Sequence, residues 1–180
     1  MLHYISECEM ETLTTTWKPD VTACGRTIKL SPIDQIAPRD YLAVHFFFKL
    51  GLEANKLRIF RQLETGLLHA SREAPEVLCS VGHRANEREE LGLLYDAEYG
   101  ASLTFKDYTT GSLRHQWPHG SFDDLEREHF PYAKLDRRLV LGLDAQKNAA
   151  KKPSLVVQAN FIEGGVILTT CLHVSEAPHH

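Results

Sequence analysis

The sequence has 180 residues and is 43% hydrophobic, a length and composition that predict one soluble globular domain with its own core. Twenty Lys and Arg residues against 24 Asp and Glu residues give a formal charge of −4, which argues against a nucleic-acid-binding surface. The most apolar stretch, 41–52, is too short to span a membrane and the N-terminus lacks a secretory signal, so we expect a cytoplasmic protein without membrane contact.

The first half of the chain predicts one strand, one ambiguous element and one helix. Residues 1–24 show no clear periodicity, and we expect a poorly patterned lead-in there. An alternating run over 25–35 predicts a strand that Pro32 ends. The apolar run 41–50 fits either a buried strand or the start of a helix. Over 53–71, apolar residues recur at spacings of three and four, which predicts an amphipathic helix.

The middle of the chain predicts short elements separated by polar segments. Residues 76–82 favour a strand, and the charged block 83–90 is typical of a solvated loop or a helix end. Residues 100–109 alternate as a half-buried strand does. A short helix is predicted within 121–131, with Ser121 as its N-terminal cap.

The C-terminal part predicts two strands joined by a tight turn. The segment 144–153 has a linker-like composition, and the runs SLVVQANFI and VILTTCLH then follow as strands. Gly164 and Gly165 lie between them, and paired glycines suit a hairpin turn. We therefore expect a mixed α/β fold in one structural unit.

The cysteines and the histidines do not indicate a metal centre. The four cysteines are far apart in sequence and contain no C-x-x-C pair, so we expect reduced thiols. They are Cys8, Cys24, Cys79 and Cys171. The tail contains four potential metal ligands, but terminal side chains usually extend into solvent, and we expect no metal site. These ligands are His173, Glu176, His179 and His180.

His173 is the candidate catalytic residue because it ends an apolar strand. With an ordinary pKa of about 6.5, a histidine is well suited to remove a proton from a hydroxyl or an amine at neutral pH. The alternative is a histidine that only caps a strand at the surface.

Four segments, in order, resemble the CoA-dependent acyltransferases, a family that includes the plant BAHD enzymes and the fungal trichothecene 3-O-acetyltransferase-like proteins. The segments are LSPIDQIAPRDYLAVHFFFKL (30–50), LETGLLHASREAPEVLCSVG (63–82), SFDDLEREHFPYAKLD (121–136) and LVVQANFIEGGVIL (155–168). Together they extend over about the last five-sixths of the chain.

The resemblance implies the N-terminal half of a chloramphenicol-acetyltransferase-like two-domain fold, a mixed sheet flanked by helices. Residues 25–180 would form a truncated first acyltransferase domain, with the second domain absent. The implied reaction transfers an acyl group, acetyl by the nearest resemblance, from acyl-CoA to an alcohol or amine of a small secondary metabolite. Acyl-CoA is then a co-substrate, no cofactor is bound, and a second chain would supply the missing domain.

The resemblance also implies an H-x-x-x-D motif whose histidine is the general base, and this motif is incomplete here. In one register His173 takes the first position of the family's His pair and Val174 the catalytic position. In the other, His173 is catalytic and Ala177 replaces the aspartate. One hypothesis is an acyltransferase with His173 as base. The other is an inactive domain with only a binding or interaction role. Because half of an interdomain channel cannot enclose both substrates, we expect the isolated chain to be inactive.

Overall fold

The computed structural model describes residues 11–36, 40–84, 87–143 and 151–173, and within them the chain forms two β-sheets and four α-helices. The strands are β1 (Thr12–Trp17), β2 (Thr27–Lys29), β3 (Tyr41–Lys49), β4 (Ser80–Arg84), β5 (Glu87–Leu94), β6 (Ala101–Asp107), β7 (Lys152–Pro153), β8 (Leu155–Ile162) and β9 (Gly165–His173). The helices are α1 (Pro32–Ile36), α2 (Lys56–Glu73), α3 (Phe122–Arg127) and α4 (Arg137–Val140). The expected mixed α/β class is confirmed.

The larger sheet places β8 at its centre, in the order β1-β6-β8-β9-β3. The β6–β8 pair is parallel and the other pairs are antiparallel. A parallel pair needs a crossover connection, and α3 and α4 lie in the segment that joins β6 to β8. All eight residues of β8 are buried, because both faces of the sheet are covered at this strand.

Helix α2 covers one face of the larger sheet, as its predicted amphipathic pattern requires. Its side chain Phe60 is fully buried against Phe105, with ring centroids 5.5 Å apart. The apolar cluster on this face also contains Leu103, Leu155, Val157, Ala159, Phe161 and Val166. The Asn55 side chain accepts a hydrogen bond from the backbone N–H of Arg58 and so starts the helix.

Helices α3 and α4 cover the other face of β8 and β9. The Ser121 side chain accepts from the backbone N–H of Asp124, and the Asp124 carboxylate accepts from the backbone N–H of Ser121. The predicted cap of α3 is therefore confirmed. Because side chains alternate along a strand, Thr169, Cys171 and His173 of β9 all lie on this second face.

The glycine pair between β8 and β9 has two separate roles. Gly164 has a φ of +78°, a left-handed conformation that a side chain disfavours. Gly165 has an ordinary φ, but a Cβ there would lie 2.1 Å from the Phe122 ring. The turn predicted from the two glycines is confirmed, and α3 packs directly on it.

Strand β3 is an edge strand, which settles the ambiguity of 41–50. It pairs with β9 along its whole length. Its outward side chains, together with Leu172 of β9, form an exposed apolar stripe that α2 does not cover. The residues of this stripe are Leu42, Val44, Phe46, Phe48 and Leu172.

The smaller sheet, in the order β2-β5-β4-β7, corrects two predictions. The charged block 83–90 was expected to be a loop or a helix end, but its described residues, 83–84 and 87–90, belong to the antiparallel strands β4 and β5. A pair of this kind is held by backbone hydrogen bonds, which a charged composition does not prevent. The predicted strand 76–82 is displaced: Pro75–Leu78 forms a 3₁₀ turn, and β4 begins at Ser80.

Three further differences concern the N-terminal part and the linker. The lead-in 1–24, expected to be poorly patterned, contributes β1. The side chains of β1 alternate between exposed and partly buried, but the run of threonines shows no matching alternation of polar and apolar residues in the sequence. The strand expected over 25–35 is limited to β2. Pro32 begins α1, because the backbone N–H groups of the first helical turn have no partner within the helix, so a proline, which lacks this group, fits there. Of the expected linker 144–153, residues 144–150 lie outside the described residues, and Lys152 and Pro153 form β7.

Candidate active site

His173 lies at the end of β9, where the backbone of two neighbouring segments holds it. Its register partner in β3 is Tyr41. The backbone N–H of His173 donates to the carbonyl oxygen of Ser154, at 3.0 Å. The ring centroids of His173 and Tyr41 are 5.0 Å apart with an interplanar angle of 87°, an edge-to-face contact. The strand end that the sequence singled out is therefore anchored on both sides.

The surroundings of His173 favour the neutral imidazole. Burial, together with a smaller contribution from the charge of Lys152, lowers the pKa of His173 to about 4, and the charge of Asp40 opposes this shift. Its Nδ1 atom is buried and has no hydrogen-bond partner within the described residues. At neutral pH the ring is therefore uncharged and can accept a proton.

Tyr41 is a buried neighbour with a fixed orientation. Its hydroxyl donates to the carbonyl oxygen of Pro153, at 2.9 Å, and its backbone N–H donates to the Asp40 carboxylate, at 2.8 Å. Burial raises the pKa of the Tyr41 phenol, which therefore stays protonated. Nothing in the local sequence indicates that Tyr41 contacts His173, because the contact depends on the pairing of β3 with β9, about 130 residues apart.

The motif positions after His173 lie outside the described residues. This holds for Val174 and Ala177, on which the two registers differ, and for the tail ligands Glu176, His179 and His180. Both alignments of the H-x-x-x-D motif stay predictions. Within the described ranges, no three His, Cys, Asp or Glu side chains lie close enough together to hold a metal ion.

Gln158 and Asn160 of β8 tie the chain around α4 to the sheet. Gln158 Nε2 donates to the carbonyl oxygen of Leu139 and to Asn160 Oδ1, both at 2.6 Å. Asn160 Nδ2 donates to the carbonyl oxygens of Val140 and Ile167, at 3.3 and 3.2 Å. The resembling segment 155–168 contains both amides, and their role there is to orient the layer that covers the second face.

A second histidine lies on the same face, farther from the strand end. In register, Gln158 lies opposite Thr169, and Thr169 lies opposite His45 of β3. His45 Nδ1 and Thr169 Oγ1 are 2.8 Å apart. Burial, with a contribution from Arg137, lowers the pKa of His45, and its Nε2 is buried without a partner in the described part of the chain.

The three cysteines of the described residues are free thiols. Cys79 and Cys171 are buried, and burial raises the pKa of each to about 11. Cys24 is partly exposed, and Cys8 lies outside the described residues. A buried, protonated thiol is a poor nucleophile, so Cys171, two residues before His173, does not compete with it as the reactive group.

Two open clefts of the described chain lie away from His173. One, of about 570 Å³, borders the β8–β9 turn and is lined by Tyr108, Arg114, Trp117 and Glu163, among others. The other, of about 450 Å³, lies on the smaller sheet beside Arg26, Tyr95 and Lys151. The first is at the opposite end of β9 from His173. No helix of the described ranges is long and apolar enough to cross a bilayer.

Comparison with known proteins identifies relatives of this chain. The acyltransferase cm3D of Cordyceps militaris is 31% identical over 172 residues, which are 91% of this chain and 35% of the relative. The acyltransferase easC of Emericella nidulans is 28% identical over 162 residues, 89% of this chain and 33% of the relative. The chain thus spans about a third of the length of these curated relatives.

A solved structure shows the same fold. F. sporotrichioides TRI101, complexed with coenzyme A and T-2, superimposes with a TM-score of 0.66 at 25% identity. The superposition covers 83% of this chain and 34% of that protein. The family profile "Trichothecene 3-O-acetyltransferase-like N-terminal domain" matches residues 41–175. The chain therefore belongs to the trichothecene 3-O-acetyltransferase-like family, of which it contains the N-terminal domain.

Proposed function

We propose that this chain is the base-bearing domain of an acyltransferase that transfers an acyl group from acyl-CoA to a hydroxyl or amine of a small molecule. The observation that carries the proposal is His173: a partly buried imidazole, neutral at physiological pH, held at the end of the strand that the family places before its general base. The names of the two fungal relatives support acyl transfer, and the TRI101 complex supports coenzyme A as co-substrate.

The proposed reaction begins with proton removal by His173. Its Nε2 takes the proton of the acceptor hydroxyl while that oxygen attacks the thioester carbonyl carbon. The carbon–sulfur bond then breaks, and the coenzyme A thiolate leaves and takes the proton from the imidazolium. General-base catalysis of this kind typically contributes about 10²–10⁴-fold in rate. The atoms balance without a metal or a redox partner. Acyl-CoA is consumed in the reaction and is therefore a co-substrate.

The acyl group and the acceptor are proposed from the relatives. We propose acetyl as the transferred group, because the matching family is described as acetyltransferase-like. We propose an alcohol of a secondary metabolite as the acceptor, in line with the T-2 complex of TRI101.

We further propose that the other wall of the site comes from outside this domain. The curated relatives are about three times as long as the region they share with this chain. A site between domains excludes water from the thioester only when both walls are present. We therefore expect turnover when the rest of an acyltransferase is supplied, and the simplest source is a second chain.

Release of free thiol from acetyl-CoA tests the proposed function. The purified chain is incubated with acetyl-CoA and a panel of small alcohols and amines, alone and with the separately expressed remaining two-thirds of cm3D. We expect acceptor-dependent release in the mixture, and its loss in the His173→Ala variant. His115→Ala is the matched control, because His115 is exposed and lies in the turn Leu113–Gln116, outside the strands β3 and β9. Release that His173→Ala leaves intact, or no release in either arm, would contradict the proposal.

A further inference from the structure

Among the residues that the structure describes, His173 lacks the contact that normally orients a general-base histidine. Such a base usually donates its second ring N–H to a carboxylate or a backbone carbonyl, which fixes the tautomer and the ring orientation. In this chain the second nitrogen, Nδ1, is buried without a partner in the described residues. Another contact has to keep the ring in place if Nε2 is to face a substrate.

The edge-to-face contact with Tyr41 provides this support. Tyr41 and His173 are opposite each other in the antiparallel pair β3–β9, a placement that brings side chains on one face within reach. Their ring centroids are 5.0 Å apart and the ring planes nearly perpendicular. Tyr41 is itself buried, so its ring has little freedom to move away.

The two residues are anchored to consecutive carbonyl groups at the junction of β7 and β8. The Tyr41 hydroxyl donates to Pro153, and the His173 backbone N–H donates to Ser154. The junction is fixed in turn, since the Ser154 backbone N–H donates to Cys79 and its hydroxyl donates to Glu76 or Val77. Tyr41 and His173 are therefore set against one rigid frame.

We propose that Tyr41 is a positioning residue for His173: its ring, fixed through the hydroxyl bond to Pro153, holds the imidazole so that Nε2 faces the substrate. This inference rests on the proposed function for its catalytic meaning. In the described part of the chain, the charged groups around His173 are Lys152 on β7 and Asp40 just before β3, and the titratable Cys171 shares its face of β9. Substitutions at Tyr41 leave all three unchanged.

The test is a titration of His173 by NMR in the intact, imidazole-labelled chain, with assignment by the His173→Ala variant. Tyr41→Leu removes the aromatic contact and opens the site to water, so we expect the His173 midpoint to rise by at least one pH unit towards 6.5. Tyr41→Phe keeps the ring and loses only the bond to Pro153. For this variant we expect a smaller rise, together with broadened imidazole signals from a less fixed ring.

Tyr108→Phe is the matched control. It removes another buried hydroxyl, which donates to the carbonyl oxygen of Leu139 at 3.0 Å on the same face of the sheet, without touching His173. We expect this variant to leave the His173 midpoint and signal widths unchanged. If Tyr41→Leu does not fold, as judged by circular dichroism, Tyr41→Phe decides. Unchanged midpoint and signal widths in Tyr41→Phe, or equal changes in Tyr108→Phe, would overturn the proposal.

The kinetic arm separates this inference from the proposed function. In the reconstituted thiol-release assay we expect Tyr41→Phe to lower kcat several-fold and leave the KM for acetyl-CoA unchanged. A change in KM alone would overturn the positioning role. If His173→Ala keeps full activity, the proposed function fails, while the NMR result still reports whether Tyr41 holds the ring.

Discussion

The two faces of the larger sheet are covered in chemically different ways. Beneath α2 the buried cluster is apolar and is centred on Phe60, Phe105 and Phe161. The polar contacts of this helix with the sheet, such as the ion pair of Lys56 with Asp107, lie outside that cluster. Beneath α3 and α4 the sheet also buries Gln158, Asn160 and Thr169, each paired to a specific atom. Apolar contact is non-directional and mainly stabilises, whereas buried hydrogen bonds fix where the covering layer lies. His173 lies on the face with fixed geometry.

The largest expected effect is on the apolar face. Phe60→Ala leaves a cavity among Phe105 and its neighbours, and we expect it to lower the free energy of unfolding by about 3–5 kcal/mol. Denaturant unfolding followed by circular dichroism measures this. Leu68→Ala on the same helix is the control, because Leu68 is 38% exposed and should cost below about 1 kcal/mol. Equal effects of the two substitutions would show that α2 does not pack through Phe60.

A substitution at Asn160 tests the polar face. Asn160→Ala removes the side-chain donor to the carbonyls of Val140 and Ile167 and the acceptor of the Gln158 amide, and we expect a loss of about 2–3 kcal/mol. Hydrogen exchange should also show faster opening around α4, which Phe60→Ala should not change selectively. As a comparison amide, Asn55→Ala removes one exposed cap bond and should cost about 1 kcal/mol. A neutral Asn160→Ala would disprove the orienting role of this face.

The pH dependence of stability should separate His173 from the apolar face. Its pKa is about 4 in the folded chain and near 6.5 in the unfolded chain, so between these values the unfolded state binds more protons. Stability should therefore fall as the pH drops from 6.5 to 4. Because the ring is only partly buried, we expect a loss of about 1–2 kcal/mol attributable to His173.

The measurement is the unfolding midpoint of the wild type and of His173→Ala across that pH range. The variant should lose less stability on acidification than the wild type does. His45 and His119, whose pKa values are also lowered, contribute with the same sign in both proteins and therefore cancel in the difference. Parallel pH profiles for the two proteins would contradict the buried, neutral state of His173.

The smallest expected effect concerns the His45–Thr169 contact. Thr169→Val keeps the shape of the side chain and removes the hydroxyl that lies 2.8 Å from His45 Nδ1. We expect a loss of about 1 kcal/mol in unfolding free energy. The exposed contact of Thr14 with Thr104 offers the comparison, and Thr14→Val should be nearly neutral. An equal effect of both substitutions would mean that burial adds nothing to the bond.

Local patterns in the sequence predicted the elements that have one clearly apolar side. Helix α2 and the strands β6, β8 and β9 all follow such patterns, and α3 follows its cap at Ser121. The strands β1 and β5 did not, because threonine runs and charged blocks show no contrast between inner and outer residues. Pairing with a distant strand decides their structure, and single-sequence periodicity does not contain that information.

The sequence likewise predicted only part of the candidate site. The end of an apolar strand pointed to His173, and the family resemblance gave it a role. The contact of His173 with Tyr41 depends on the register of β3 with β9. The positions of the Pro153 and Ser154 carbonyls depend on where β7 pairs in the smaller sheet. Gln158 and Asn160 lie opposite the apolar face of β8, where polar residues would be expected to face solvent, but the fold buries both faces of this strand.

The exposed apolar stripe on β3 has a consequence for how chaperones and proteases act on this domain. Leu42, Val44, Phe46 and Phe48 lie side by side on an edge strand, with Leu172 beside them. Surface of this kind is what a folding intermediate displays, and chaperones and proteases act on such species. A copy of the domain with this stripe bare would be handled by quality control as an unfinished protein, however well its core had formed.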